Sequence, residues 1–307
     1  MSREILITET ILNTEVENTE VQHESTLYAE PIGHIGSFTI TNALLTSWIV
    51  VFIIAILVLI LRFKKFTFRP TKIQNFLELI IDGALNLCDQ VTGNRKISLK
   101  IFPIVFSLFI FVLINNWMGI LPGVGAFGQI VNEAGHNVFV PYLRGATADV
   151  NTTIAIALVS VIISNIFGII ALGTWKSINK YIKLTDLAKI RNFRNDPTIL
   201  IVAPVMFFVG LLEAIGEIAK VASLTFRLYG NVFAGEVLLA SMSAILPFIL
   251  PIPFVFMEFF VGILQAFIFA MLTLVYFSIQ TTDHDEHQKT AHHNDEKHLA
   301  PTVAGSV

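Results

Sequence analysis

Charge is scarce in this chain and cysteine is nearly absent. Only 14% of the residues are Asp, Glu, Lys or Arg, where a soluble domain carries about 25%. With 54% apolar residues and a mean hydropathy of +0.71, an ordinary water-soluble fold is excluded. The single cysteine, Cys88, rules out an internal disulfide and any cysteine-based metal motif. HExxH, a phosphate-binding glycine loop and a Ser/His/Asp arrangement are also missing, which argues against an integral-membrane enzyme. No catalytic site of its own, no cofactor and no nucleic-acid partner are expected. Residues 1–40 are acidic, with neither a strongly basic start nor an early apolar core, so no cleavable signal peptide is expected.

What the chain has is long apolar runs separated by short polar segments. Three regions emerge: a polar acidic tail over 1–37, a membrane region over 38–282, and a His-rich polar tail over 283–307. Leu44 to Leu61 is uncharged and, with its flanks, can cross about 30 Å of hydrocarbon. Arg62, Lys64, Lys65, Arg69 and Lys72 follow at once. Basic loops stay in the cytoplasm, so this span runs from outside to inside. Gln74 to Val91 has apolar residues near helical spacing with Glu78, Asp82, Asp89 and Gln90 interposed. That pattern predicts an amphipathic helix, resting either on the cytoplasmic lipid interface or on protein.

Ile101 to Leu121 is the next spanning candidate, followed by a Gly-rich outer segment with Glu133, His136 and Arg144. Asn151 to Trp175 returns to the basic side marked by Lys176, Lys180, Lys183, Lys189, Arg191 and Arg194. The sequon at Asn151 reads as coincidence at a helix start. Pro197 to about Leu246 is one long apolar run, about 75 Å if a single helix, so it must tilt, bend, or break near Gly210–Gly216. Pro247, Pro251 and Pro253 then force a turn before a last run to Gln280. The expected fold is all-α: a polytopic membrane protein with about five transmembrane helices and one interfacial amphipathic helix. Its last two helices should be long and tilted, with the N-terminus outside and the C-terminus cytoplasmic.

Within the fourth run lies Ile218 to Glu236, IAKVASLTFRLYGNVFAGE, with Arg227 at its middle. A permanent charge at membrane depth costs about 2.5–3.5 kcal/mol on the lenient insertion scale and marks an ion path or a pairing partner. Snorkelling to an interface is the bland alternative, but apolar sequence continues on both sides. At about 100° per residue, Lys220, Arg227 and Asn231 share one stripe, with Glu213 about 40° from Arg227. Glu236 falls about half a turn away and should face another neighbour, such as the following helix. There Glu258, Gln265 and Tyr276 share a face. Carboxylates on opposite sides of a fixed cation make two half-paths, because the cation repels a passing proton. Such half-paths need a movable carrier, and this chain offers none. The structural alternative for each carboxylate is a hydrogen bond between helices.

Arg227-Leu228-Tyr229-Gly230-Asn231-Val232-Phe233-Ala234-Gly235-Glu236 closely resembles the R-L-F-G-N-x-x-A-G-E signature of subunit a of F-type ATP synthases. Leu264-Gln265-Ala266-Phe267-Ile268-Phe269, leading to Leu272-Thr273 and Tyr276, resembles that family's last helix. Ala148-Asp149-Val150-Asn151-Thr152-Thr153 resembles an A-D-V-N-x-T helix start, and Asn116 to Pro122 an N-x-x-G-x-x-P helix end. The resemblance covers about Phe38 to Gln280. It implies a membrane stator subunit that passes protons to and from a rotating ring of c subunits and is held by the b subunits of a peripheral stalk. Arg227 matches the essential arginine facing the ring carboxylate. Glu236, Asn231, Gln265, Asp149 and Asn151 match outer half-channel positions, and Glu213 the inner one. Glu258 stands where members carry His or Glu, and Gly119 where some carry Asp. The implied setting is the bacterial plasma or inner membrane.

Two other readings stay open on the residues alone. A self-contained channel or secondary transporter would need no ring, but no internal repeat is evident. Na⁺ could replace H⁺, since the ring carboxylate and its neighbours largely decide the ion. The His-rich tail (His284, His287, His292, His293, His298) could hold a metal, though a solvated tail is the simpler expectation.

Overall fold

A computed structural model of the chain describes residues 28–63, 71–121, 123–133, 136–174 and 199–281. The tail before Tyr28, the basic residues Lys64, Lys65 and Arg69, the basic segment from Lys176 to Arg194 and the His-rich tail lie outside these residues. So do the side chains of Glu133 and His136.

Among the described residues, six long helices carry the fold: α1 (Asn42–Phe63), α2 (Lys72–Thr92), α3 (Arg95–Ile120), α4 (Val150–Leu172), α5 (Ile199–Ile245) and α6 (Pro251–Thr281). Among the described residues, α1, α3, α4 and α6 are long and apolar enough to cross a membrane. The chain is an all-α polytopic membrane protein. The fifth expected span corresponds to α5, one continuous helix of 47 residues and about 70 Å, which carries Glu213, Glu217, Lys220, Arg227 and Glu236. It does not break at Gly210 or Gly216. A helical glycine costs about 1 kcal/mol relative to Ala, too little to interrupt a helix of this length. The Pro-rich turn falls where expected, between Ile245 and Pro251.

Two short antiparallel hairpins were not anticipated. β1 (Pro31–Ile35) pairs with β2 (Phe38–Thr41), and β3 (Gly128–Glu133) with β4 (His136–Pro141). β1 lies in the segment read as a polar tail, β2 at the start of the region read as membrane, and β3 and β4 in the Gly-rich outer segment. The stretch before β1 is tied into the body: Glu30 N donates to Asn42 Oδ1 at 3.2 Å and Ala29 N to Asp149 Oδ1 at 3.2 Å. The structured body therefore includes Tyr28 to Ser37, part of the region read as tail.

The caps explain where the helices begin. Thr71 Oγ1 accepts from Gln74 N at the start of α2, and Asn94 Oδ1 from Lys96 N at the start of α3. The Asp149 carboxylate accepts from the N–H groups of Asn151 and Thr152 and starts α4. Helix α2 docks on α3 and α6 through Leu85 and Cys88, while Ile73, Phe76, Leu79, Ile80 and Ile81 remain exposed. One face therefore rests on protein and the other is free for lipid. At the α2–α3 corner, Ser98 and Arg95 hold the Asp89 carboxyl below its ordinary value. Burial, with Asp89 adding to it, pushes the neighbouring Cys88 thiol up.

Helix α6 is the central element. Ala266 and Phe269 close one apolar cluster with Val112 of α3, Ile156, Ala157 and Val161 of α4, and Leu224 and Leu228 of α5. Ala270, Leu274 and Phe277 close a second with Cys88, Ile101 and Val105. Ser160 of α4 and Thr273 of α6 share a buried hydrogen bond of 2.8 Å between these clusters. Helix α1 instead shows an exposed apolar belt, Val51 to Ile60, as a lipid-facing span should.

Candidate functional site

Arg227 lies on the outside of the bundle. Leu224 and Leu228, on either side of it, are fully buried in the core, whereas Phe226 is 67% exposed. Arg227 is exposed too, and among the described residues its Nη2 reaches only Ser223 Oγ of its own helix, at 3.4 Å. The guanidinium is therefore presented outward. On α5 it stands about 13 Å from Glu236 in one direction and about 15 Å from Glu217 in the other. Each carboxylate belongs to a polar cluster of its own.

The Glu236 cluster is built around an arginine from a different part of the chain. Arg144, in the loop before α4, donates from Nε to Glu236 Oε1 at 3.0 Å and from Nη2 to Oε2 at 2.8 Å. This is the bidentate geometry that the planar guanidinium favours. Its Nη1 also donates to Tyr28 O at 3.3 Å, and its backbone N to Thr46 Oγ1 at 3.3 Å. The Arg144 side chain is only 6% exposed. The loop reaches this depth because Gly145 crosses Gly119 closely: a Cβ on Gly145 would lie 3.2 Å from Gly119 Cα.

Glu236, Arg144, Asn116 and Glu258 line a cavity of about 270 Å³. Glu258, on α6, is 7% exposed, and its carboxyl lies against the Cα of Gly235. Asn116 Nδ2 donates to Gly262 O at 3.2 Å and Asn116 Oδ1 accepts from Thr147 Oγ1 at 2.9 Å, which locks α3, α6 and the pre-α4 loop together. Glu236 thus faces the loop arginine as well as the side of α6; the helix phase pointed to another neighbour, with α6 as the example.

At the other end, one carboxylate gathers three helices. Glu217 accepts from Lys220 Nζ at 2.6 Å, Asn165 Nδ2 of α4 at 3.1 Å and Gln280 Nε2 of α6 at 3.0 Å. Lys220 Nζ also sits 5.2 Å from the centroid of the Tyr276 ring. Glu213 lies one turn further along, half-buried.

Several further polar atoms of α3, α5 and α6 are buried: Thr225 Oγ1, Tyr229 Oη, Asn231 Nδ2, Gln265 Nε2 and Asn115 Oδ1. None has a hydrogen-bond partner among the described residues. Each such group costs about 1–3 kcal/mol, so a set of them on facing helices asks for an explanation.

Of the residues singled out from sequence, Glu236 and Glu258 meet at one cavity, and Asn231 and Gln265 each bury an amide nitrogen with no partner among the described residues. Tyr276 is at the Lys220 end and Arg227 outside. Asp149 is buried as the α4 cap, and Asn151 is exposed in the first turn of that helix. Sequence reasoning missed Arg144, Gly235, Asn165 and Gln280. Arg144 had a signal: it is the one Lys or Arg between Lys100 and Lys176.

The family model described as ATP synthase A chain matches residues 44–278. A protein of Geotalea daltonii named ATP synthase subunit a is 33% identical over 235 residues, covering 76% of this chain and 85% of its own length. Its namesake from Syntrophobacter fumaroxidans is 32% identical over 247 residues, covering 79% and 85%. That from Trichlorobacter lovleyi is 32% identical over 235 residues, covering 76% and 85%. With its helices, its outward arginine and this match over most of its length, the chain belongs to the ATP synthase A chain family.

Proposed function

We propose that this chain is the stationary membrane subunit that passes protons, by two offset half-paths, to and from carboxylates on a rotating ring of c subunits. The observation that carries the reading is Arg227: a permanent charge presented outward, between two polar clusters that it does not join. A charge facing lipid alone would be costly, so its outward face asks for a partner with a carboxylate.

The Glu236–Glu258 cavity serves the outer half-path, with Asp149 and Asn151 at its mouth and the amides of Asn231 and Gln265 further along it. Glu213 and the Glu217 cluster serve the inner half-path, with Tyr276 on its wall. A proton entering from outside neutralises a ring carboxylate near Arg227, and the ring turns that neutral group into lipid. After almost a full turn the proton leaves towards Glu213. Arg227 displaces it from the returning carboxylate and bars a direct leak. Each charge crossing 100 mV supplies about 2.3 kcal/mol, so several are needed for each ATP made elsewhere in the complex. The basic residues of the α1–α2 and α4–α5 connections support a cytoplasmic position for those loops, with the N-terminus outside and the C-terminus inside. Stalk b subunits hold the chain against rotation.

The test is ATP-driven proton pumping in membranes carrying Arg227→Ala within the assembled complex. Pumping should be abolished while the ring still co-purifies. Pumping near the parental rate would remove Arg227 from the role assigned to it.

A further inference from the structure

Two carboxylates line the cavity, and among the described residues only Glu236 is paired with a cation. Arg144 spends Nε and Nη2 on Glu236, including a 3.3 Å contact from Nε to the second oxygen, and anchors Nη1 on Tyr28 O. Its backbone is tied to Thr46 of α1. The guanidinium is thereby fixed from three parts of the chain and aimed at α5. Glu258 sits across the cavity on α6, more deeply buried than Glu236, with its carboxyl over the bare Cα of Gly235.

The charged groups bordering the cavity are Arg144 from the loop, Glu236 from α5 and Glu258 from α6; α3 contributes the neutral amide of Asn116. Arg144, Glu236 and Asp149 all stand within electrostatic range of Tyr229 of α5. A buried ion pair with bidentate geometry is stable as charges, and breaking it leaves a buried charge unpaired. A buried carboxyl with no counter-charge favours its neutral form, which can both donate and accept a hydrogen bond.

We propose that Arg144 is the positioning residue of this cavity: it holds Glu236 as a fixed carboxylate, so that the exchangeable proton is carried by Glu258. This rests on the reading that the cavity belongs to the outer half-path. In each passage the Glu258 carboxyl gives its proton towards the ring and takes one from the outer side. It returns to its starting form, and Glu236 stays paired throughout. Gly235 belongs to the arrangement, because the Glu258 carboxyl occupies the space a side chain would fill.

The test uses the complete ATP synthase in inverted membranes, reading ATP-driven proton pumping against pH, with ring co-purification as the assembly control. Arg144→Gln strands Glu236 and should lower pumping about 100-fold. Adding Glu236→Gln removes the stranded charge and should restore pumping to within about tenfold of the parent, with the parental pH profile. Glu258→Gln should lower pumping about 100-fold, alone or in the double background. The proposal is overturned if the double variant pumps no better than Arg144→Gln, if its pH profile is displaced, or if Glu258→Gln pumps normally. Should Arg144→Gln fail to assemble, the double variant and Glu258→Gln still decide the matter. An Arg227→Ala control separates the two levels. If it pumps, the underlying function is wrong; if it is silent while Glu258→Gln pumps normally, only the role of Glu258 is wrong.

Discussion

The carboxyl group of Glu258 occupies the space that a side chain at residue 235 would fill, so Gly235 and Glu258 form one packing unit across α5 and α6. A Cβ at residue 235 would collide with all three carboxyl atoms. The carboxylate is the far end of a flexible side chain, so it can swing aside. Gly235→Ala should therefore leave the fold intact, at an overpacking cost of about 1–3 kcal/mol, and displace Glu258 from the cavity. Proton pumping in the assembled complex should fall about tenfold or more. Gly83→Ala is the control: a Cβ there meets nothing within 4 Å, so it should raise helix stability without touching transport.

The α2–α3 corner should respond to acid. The folded state holds the Asp89 carboxyl below its ordinary value of 3.8, through Ser98 and the paired Arg95. A lowered folded value means stability that is present above the unfolded value and lost as pH falls through the folded one. The parent should lose the Asp89 contribution below about pH 4, whereas Asp89→Asn should lack it at every pH. Limited proteolysis of the α2–α3 segment in detergent, from pH 7 down to about pH 3, reads this directly. Equal protection of parent and variant at neutral pH would dismiss the ion pair as a stabiliser.

Glu217 should act as a knot between helices. It accepts hydrogen bonds from α4, α5 and α6 at once, with its side chain 16% exposed. Glu217→Ala leaves Lys220, Asn165 and Gln280 without their shared acceptor and should lower stability by about 1–3 kcal/mol. Glu217→Gln keeps an acceptor oxygen and should lose less. Thermal unfolding of the two purified variants in detergent, followed by circular dichroism, gives the comparison. If both melt with the parent, the cluster contributes nothing to stability.

Much of the fold was legible because lipid imposes a simple rule: spans must be long, apolar and helical. Leu44 to Leu61 became Asn42–Phe63, and the prolines at 247, 251 and 253 marked the α5–α6 turn. The amphipathic period of Gln74 to Val91 was equally clear, because its charges recur on one face. For the fourth run the sequence left two forms open, one long tilted or bent helix or a break near Gly210–Gly216, and α5 is the continuous one. Within the site, helix phase separated Arg227 from Glu236, because a rotation of 100° per residue needs no partner. It could not find the partner of Glu236. Arg144 is 92 residues away in the sequence, on a loop whose depth depends on Gly145 passing Gly119. Asn165 and Gln280 escaped for the same reason: a lone amide in an apolar run gives no hint of which carboxylate it will meet.

The two arginines make opposite predictions, which one experiment can separate. Arg144 is 6% exposed and bidentate with Glu236. Arg227 is exposed and among the described residues touches only Ser223, at 3.4 Å. Removing one partner of a buried pair typically costs about 3–5 kcal/mol, because the other charge is left unpaired. Removing an exposed side chain with so weak a contact changes stability by about 0.5 kcal/mol or less. In the isolated chain in detergent, Arg144→Ala should thus unfold well before the parent, and Arg227→Ala together with it. In the assembled complex Arg227→Ala should nevertheless abolish pumping. Arg227→Lys should not restore it, since an ammonium lacks the planar fork that pairs bidentately with a carboxylate. A large stability loss in Arg227→Ala would mean that this residue holds the bundle together, and its outward placement would then need a different explanation.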